Sequence, residues 1–149
     1  MKTSAICMTA LLWACQFSAH AALGAAPETT ASASLHLNAR MATSSAAAYS
    51  LHTMTSADGT VVKEYVGTDG LVFAVSWQGP WRPNLQQLLG TSYQALQDAS
   101  AKVRTQGRRP ILISNTDLVL RSGGHPRAFF GVAYLPSLLP DGVTAADIQ

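Results

Sequence analysis

The fold is decided by residues 60–77, which read TVVKEYVGTDGLVFAVSW. Two runs rich in β-branched and aromatic residues, 60–66 and 71–77, flank the turn sequence at 67–70, and this arrangement is typical of a β-hairpin. Asp-Gly favours the turn because glycine adopts the positive φ that tight hairpins require. The second run is the more apolar, so we expect it to be the central strand of a sheet.

The segment before this hairpin continues the period-two pattern. Tyr49–Thr55 alternates, and Ala57-Asp58-Gly59 then reverses the chain. The pattern predicts a meander of three antiparallel strands. Asp58 and Asp69 both precede glycine in turn sequences, so we interpret them as turn residues rather than as acidic site residues.

A helix is predicted after the meander. Residues 79–83 break the sheet, and Asn84 followed three residues later by Gln87 favours a helix start. Apolar residues then recur at helical spacing, which gives the helix one face to pack on the sheet. They are Leu85, Leu88, Leu89, Tyr93, Leu96, Ala99 and Val103. Gly90 in the helix interior predicts a kink or a close backbone contact.

Two further strands complete the predicted fold. Residues 111–121 are strand-like with an interruption at Asn115-Thr116, and 127–135 follow a turn at 122–126. An irregular tail begins at Pro136. The sum is an α+β domain over 49–149: an antiparallel sheet of about five strands, made of the three-strand meander and these two, with one long helix packed on one face.

The N-terminus predicts a secretory signal peptide at 1–21. A positive start precedes an apolar run over 5–15, and Ala19-His20-Ala21 places small residues where a signal peptidase cuts. The run of about 11 residues is too short for a bilayer, which needs about 20. We therefore expect export to the periplasm or the extracellular space, with no transmembrane segment in the mature chain. The alternatives are a lipoprotein acylated at Cys15 and a buried N-terminal helix.

Residues 22–48 are rich in Ala, Ser and Thr and offer little to bury. We expect most of this stretch to be a flexible tether, with docking of Leu35, Leu37 and Met41 as a short strand or helical turn left open. The chain's two cysteines lie in the predicted signal, so the mature domain has no disulfide and needs an ordinary core.

Composition excludes several classes of protein. The 149 residues are 48% hydrophobic and 12% charged, which indicates one folded domain rather than a disordered chain. A net charge of +2 is too small to predict a nucleic-acid partner. The sequence contains no Gly-x-Ser-x-Gly elbow and no glycine-rich phosphate loop. The histidines of the mature chain, His36, His52 and His125, are widely separated, so no metal or other cofactor is expected.

Candidate binding residues surround two turns. Trp81 and Arg82 lie in a proline-rich turn between strand and helix, and a basic set flanks the later turns. The candidate set is Trp81, Arg82, Arg108, Arg109, His125 and Arg127. The basic set, Arg108, Arg109, His125 and Arg127, would bind an anionic group, and Trp81 beside Arg82 would offer an open ring to a sugar, peptide or lipid headgroup. The alternatives are that Trp81 folds over the sheet edge and that the arginines form a solvated face; Trp77 is expected in the core.

Several motifs follow one another along the chain, beginning with the block 59–66, Val72–Val75 and Trp77–Pro80 and continuing with Pro83–Leu85 and Leu88–Gly90. In this order they resemble a bacterial family known as domain of unknown function 2844. The resemblance extends through Ser122–His125 with Arg127–Phe129, then through Leu139-Pro140 and Asp147–Gln149, so it covers the chain from about Ala21 onwards. Asn84 stands where the family favours Asp. The resemblance implies export and no known activity, substrate or cofactor.

These observations favour a non-catalytic binding or accessory domain of the bacterial envelope, with an envelope protein or a glycan as partner. The first alternative is an envelope hydrolase that uses His125 with Glu64 or Asp117 as a base pair, although Glu64 is expected to face solvent beside Lys63. The second is a module that pairs a sheet edge with another chain. The sequence predicts no particular oligomeric state.

Overall fold

A computed structural model describes residues 22–27, 40–103 and 110–149. In these residues seven antiparallel strands form one sheet with the order β1-β2-β3-β4-β7-β6-β5. The strands are β1 (Arg40–Ser45), β2 (Tyr49–Thr55), β3 (Val61–Gly67), β4 (Val72–Gly79), β5 (Ile111–Ser114), β6 (Val119–His125) and β7 (Ala128–Tyr134). The helices are α1 (Leu85–Leu89) and α2 (Tyr93–Val103), joined by a 3₁₀ turn at Gly90–Ser92; two more 3₁₀ turns lie at Pro136–Leu138 and Ala145–Asp147. The α+β class and the antiparallel sheet are confirmed.

The sheet has seven strands rather than the predicted five, and one of the two additions is β1. This strand lies inside the stretch assigned to a tether and pairs along its length with β2, from Arg40 opposite Thr55 to Ser45 opposite Ser50. Five of its six residues are exposed, so backbone pairing rather than burial holds it. Met41 is the half-buried exception and packs on the core, the docking that the sequence left open.

The other addition is a hairpin within residues 111–121. The Asn115 side chain accepts hydrogen bonds from the backbone N–H of Asp117 at 3.0 Å and of Leu118 at 2.7 Å. This Asx-type turn reverses the chain, so the predicted single strand is two paired strands, β5 and β6. The interruption in the sequence was therefore a complete turn.

The predicted long helix is two segments, and Gly90 separates them. Asn84 caps α1 as expected, because its Oδ1 accepts from Gln87 N–H at 3.2 Å. Gly90 has φ 51° and ψ −124°, and a Cβ there would lie 2.6 Å from the Cβ of Ala22. The predicted kink and the predicted close contact are thus both present, with residues 22–27 as the neighbour.

Residues 22–27 dock on the domain through main-chain hydrogen bonds. Leu23 N–H donates to the carbonyl of Leu88 at 3.0 Å, and Gly24 N–H donates to that of Val72 at 2.8 Å. Leu23 is buried in the core beside α1. The beginning of the predicted tether is therefore packed; its residues 28–39, like the predicted signal at 1–21, lie outside the described residues.

The sheet separates two cores. One face, the helix face, packs against α1 and α2; the other, the tail face, packs against residues 136–149, here called the tail. The buried helix-face core is Leu23, Met54, Val62, Val66, Val72, Val75, Trp77, Leu88, Leu89, Leu96, Leu118, Leu120 and Ala133. The buried tail-face core is Tyr65, Phe73, Ala74 and Ile148. Six consecutive residues of β4, from Val72 to Trp77, are buried because both faces are covered, so β4 is central as predicted.

The Asp-Gly turns are confirmed as structural. The Ser56 hydroxyl donates to Asp58 at 2.6 Å and Thr60 N–H donates at 2.8 Å, and these bonds hold the pKa of the Asp58 carboxyl below its ordinary value. Asp69 accepts from Leu71 N–H at 3.0 Å in the same way. Both carboxylates are used inside their turns.

The turn predicted at 122–126 is shorter and later than expected. Strand β6 runs through both glycines to His125, which pairs with Ala128, so only Pro126 and Arg127 form the loop. Arg127 has φ 72°, the only positive φ of a non-glycine residue in the described ranges. Proline followed by a positive φ matches a type II turn, in which glycine normally occupies the second position.

We expect Arg127→Gly to raise the free energy of unfolding by up to about 1 kcal/mol, because glycine avoids the steric cost of the left-handed region but has greater freedom in the unfolded chain. Urea denaturation measures the change. Arg127→Ala is the matched control, since it removes the same side chain without relieving the backbone, and it should give no gain. Equal stabilisation by both variants would contradict the backbone explanation.

Candidate functional site

The predicted binding residues meet in part at one end of the sheet. Arg82, His125 and Phe129 line a hollow of about 550 Å³ together with Pro110 and the glycines of β6. The guanidinium carbon of Arg82 lies 4.9 Å from the centre of the Phe129 ring, a cation–π contact that holds the arginine at the mouth of the hollow. The structure therefore brings together Arg82 and His125, which are 43 positions apart in the chain (125 minus 82).

One ring nitrogen of His125 contacts the main chain of the turn. Its Nδ1 lies 3.0 Å from the main-chain oxygen of Pro126, and a carbonyl only accepts, so Nδ1 must carry the proton in that contact. Nε2 is then the acceptor nitrogen of the neutral ring. The residue is exposed, which suits binding of a polar group at the surface.

Trp81 does not fold over the sheet. Its side chain is 64% exposed, and its main-chain oxygen accepts from the Thr60 hydroxyl at 3.4 Å. Arg127 is also exposed, in the turn next to His125. Arg108 and Arg109 lie outside the described residues, although Pro110, which follows them, lines the hollow. We call Trp81, Arg82, His125, Arg127 and Phe129 the rim.

A larger hollow lies on the tail face and contains residues that the sequence did not single out. Its volume is about 660 Å³, and β3, β4, β6 and β7 supply its floor while Ile148 and Gln149 of the tail border it. Lys63 and Arg121 both line it and stand in one row across the sheet, where Lys63 pairs with Ser76, Ser76 with Val132 and Val132 with Arg121. We call this hollow the groove.

Phe130 is the aromatic residue of the groove. It is 36% exposed, and the guanidinium carbon of Arg121 lies 5.5 Å from its ring centre. Strand alternation alone would place Lys63 on the face opposite Glu64 and Arg121 on the face opposite Leu120. Alternation does not show that Lys63 and Arg121 line the same hollow, because this depends on the strand order, which puts β3 and β6 on either side of β4 and β7.

The sequence matches one known protein family. Residues 19–148 match the family described as "Protein of unknown function (DUF2844)". The chain belongs to this family. The resemblance stated from its motifs is confirmed over nearly the whole chain. No curated protein and no solved structure matches this DUF2844 protein.

The DUF2844 fold separates the residues of the suggested hydrolase pair. His125 is the last residue of β6 and Asp117 precedes its first, so the strand puts about 20 Å between them. Glu64 lies in β3, three strands from β6 and in the row of Leu120 rather than of His125, so the two are more than about 14 Å apart. Neither carboxylate is brought to His125.

Glu64 is buried, although the sequence predicted that it faces solvent. It is 2% exposed and shares the helix face with Val62 and Val66, while Lys63 points to the groove. The prediction was wrong because Glu64 lies on the helix face, which is covered by the core, while the partly open tail face takes Lys63. A polar residue between apolar neighbours indicates solvent only when one face is open.

The described residues offer neither a metal cluster nor a membrane-spanning helix. No group of three or more His, Cys, Asp or Glu side chains among the described residues is placed to hold a metal ion. His52 lies in β2 and His125 at the far end of β6, whereas His36 is outside the described ranges. Within those ranges no helix combines the length and apolar character that crossing a bilayer requires.

Proposed function

We propose that this DUF2844 protein is exported and acts as a non-catalytic binding or accessory domain of the bacterial envelope, with the rim as its contact surface for an envelope protein. The observation that carries the proposal is Trp81, a large aromatic side chain left 64% exposed beside the Arg82–Phe129 stack. Tryptophan and arginine are the residue types most enriched among the dominant contacts of protein interfaces. An exposed tryptophan next to an oriented arginine therefore suits a partner protein.

The non-catalytic role draws support from the surroundings of His125. A general base needs its partner within hydrogen-bond reach, and the two carboxylates considered for that role are about 14 Å or more away. The hollow beside His125 is lined by an arginine, a phenylalanine, prolines and glycines. These groups bind and orient a ligand but offer no nucleophile.

Export draws support from the opening residues, where a positive start, a short apolar run and Ala19-His20-Ala21 have the order of a cleaved signal. Intact-mass measurement of the protein from its native host tests this directly. We expect a mature chain that begins at Ala22, in the periplasm or the medium. Recovery of the uncleaved chain from the cytosol would contradict export. A lipid-modified Cys15 would instead identify a lipoprotein anchored to the membrane.

The rim is tested by Trp81→Ala combined with Arg82→Gln. We expect about 30-fold weaker capture of the partner from envelope extracts, since a pair of dominant interface residues contributes at least that much. Quantitative crosslinking followed by mass spectrometry identifies and measures the captured protein. The matched control is Leu112→Ala, which removes a side chain of similar exposure, 69%, from β5. Unchanged capture by the double variant would contradict the rim assignment, as would capture of glycan alone.

A sheet-edge module is the second candidate, and β1 favours it. This strand lies at one end of the strand order, and its residues are mostly exposed. An open edge pairs with other chains, so light scattering should then show association that grows with concentration. A scattering mass that stays at one chain across the concentration range would rule this candidate out.

A further inference from the structure

The tail covers only part of the tail face. Its apolar residues pack on Tyr65, Phe73 and Ala74, toward one end of β3 and β4. The other end of these strands, with Lys63 and Gln78, faces the groove. A sheet face is thus left open over four neighbouring strands, in a hollow whose volume lies within the range of small-ligand sites.

The groove has a cation at each side. Lys63 and Arg121 are in the same row with two strands between them, so their backbones are about 14 Å apart. No side-chain carboxylate is among the described residues that line it. Arg121 is held by its contact with Phe130, so its donors are already oriented before a ligand arrives. This arrangement suits a ligand with two negative charges spaced along its length.

The floor between the cations is polar and small. Ser76 and Gln78 alternate along β4 and line the groove, and the Ser76 hydroxyl donates to the main-chain oxygen of Gln149 at 2.9 Å. Ser76 is buried and forms the floor, whereas the Gln78 side chain is exposed and its amide both donates and accepts. Such an amide matches the hydroxyls of a sugar, while the half-exposed Phe130 ring offers an apolar face for sugar C–H groups.

An acidic peptide fits the same surface less well. Peptides that bind to sheets add a strand to an edge, because backbone hydrogen bonds supply much of the affinity. All four strands of the groove have neighbours on both sides, and β5 and β2 flank them. Their backbone groups are therefore used within the sheet.

We propose that the groove binds a carboxylated oligosaccharide, with Lys63 and Arg121 each pairing with a uronate carboxylate and Gln78 and Phe130 contacting the sugar rings between them. This site is independent of the rim. Phe129 and Phe130 are neighbours in β7 and point to opposite faces, so each binding site has its own aromatic residue.

The test uses tetragalacturonate as probe and calorimetry of the mature chain. We expect Lys63→Gln and Arg121→Gln each to weaken binding about tenfold, since each removes one charge-assisted contact. Lys102→Gln, an exposed cation on α2, should leave the affinity unchanged. The fully methyl-esterified probe, which keeps the sugar but loses the charge, should bind at least about tenfold more weakly. Amide chemical shifts of the unmodified protein should change along β3, β4, β6 and β7.

Three results would overturn the proposal. The first is an ester that binds as tightly as the acid, which would mean that the cations do not recognise the ligand. The second is a hexaglutamate peptide that binds as tightly as tetragalacturonate, which would assign the groove to acidic peptides. The third is an absence of binding at the groove, seen either as chemical-shift changes confined to the rim or as no binding of the probe at all. A failure of rim variants to lose their partner protein leaves this experiment unaffected, so the two proposals fail separately.

Discussion

Gly131→Ala is expected to lower the free energy of unfolding by about 3 kcal/mol, at the upper end of the cost of overpacking a well-filled core. Gly131 pairs with Trp77 across β7 and β4, and the indole lies directly over it. A Cβ at Gly131 would be 2.0 Å from Cζ2 of that ring. Trp77 is 3% exposed, so the ring has no free space to enter. Urea denaturation with a two-state fit measures the loss.

Two further variants separate the clash from a general effect of alanine in β-strands. Gly123→Ala lies in the same hairpin, where the nearest atom to a new Cβ is 3.1 Å away on the Phe130 ring, and we expect a cost below about 1 kcal/mol. In a Trp77→Leu background the cost of Gly131→Ala should fall to a similar value, because the ring is gone. Equal costs in both backgrounds would show that Trp77 is not the cause.

The central part of the fold was predictable because its signals are local. The alternation in β2 and β3, the apolar run of β4 and the Asp-Gly turns depend on neighbouring residues alone. The Asn84 cap and the break at Gly90 were predictable for the same reason. What Gly90 contacts was not, since Ala22 lies 68 positions earlier in the chain (90 minus 22).

The strands that were missed carry weak local signals. β1 has the sequence RMATSS and buries almost nothing, so its composition is that of a linker. It becomes a strand because β2 offers it a complete row of backbone partners. In the hairpin of β5 and β6 the Asn115 amide oxygen adds two hydrogen bonds to the main-chain bond from Asn115 N–H to the carbonyl of Leu118 at 3.1 Å, and one such side chain is a weak signal in a sequence.

The candidate sites were predictable in proportion to how local they are. Trp81 and Arg82 were found because they stand together in one turn, whereas the groove takes Lys63 and Arg121 from strands 58 positions apart (121 minus 63). Only the insertion of β7 between β4 and β6 places those two cations in one row. No pattern within either strand contains that information.

The tail is held to the sheet by a long-range contact between Tyr65 and Gln149. The Tyr65 hydroxyl donates to the main-chain oxygen of Gln149 at 2.8 Å and accepts from its N–H at 2.9 Å. The ring packs against Tyr49 at 5.7 Å and Phe73 at 6.1 Å between centroids. One side chain therefore joins the aromatic cluster of the tail-face core to the residue that borders the groove.

Tyr65→Ala should lower the free energy of unfolding by about 4 kcal/mol, because it deletes a ring that is 2% exposed and leaves a cavity. Tyr65→Phe should cost only about 1–2 kcal/mol, since the ring remains and two hydrogen bonds are lost. Denaturation in urea gives both values. In Tyr65→Phe, hydrogen exchange at the amides of Ile148 and Gln149 should accelerate, while exchange in β4 should stay slow because the sheet is intact.

Tyr134→Phe is the matched control for the hydroxyl. Tyr134 packs on the same core, and its hydroxyl has no hydrogen-bond partner among the described residues, so we expect a change below about 0.5 kcal/mol. Equal costs for the two Tyr→Phe variants would mean that the bonds to Gln149 contribute nothing. If instead Tyr65→Phe releases the tail while the sheet stays folded, the tail is a separately opening unit, and the border of the groove depends on two hydrogen bonds from the centre of β3.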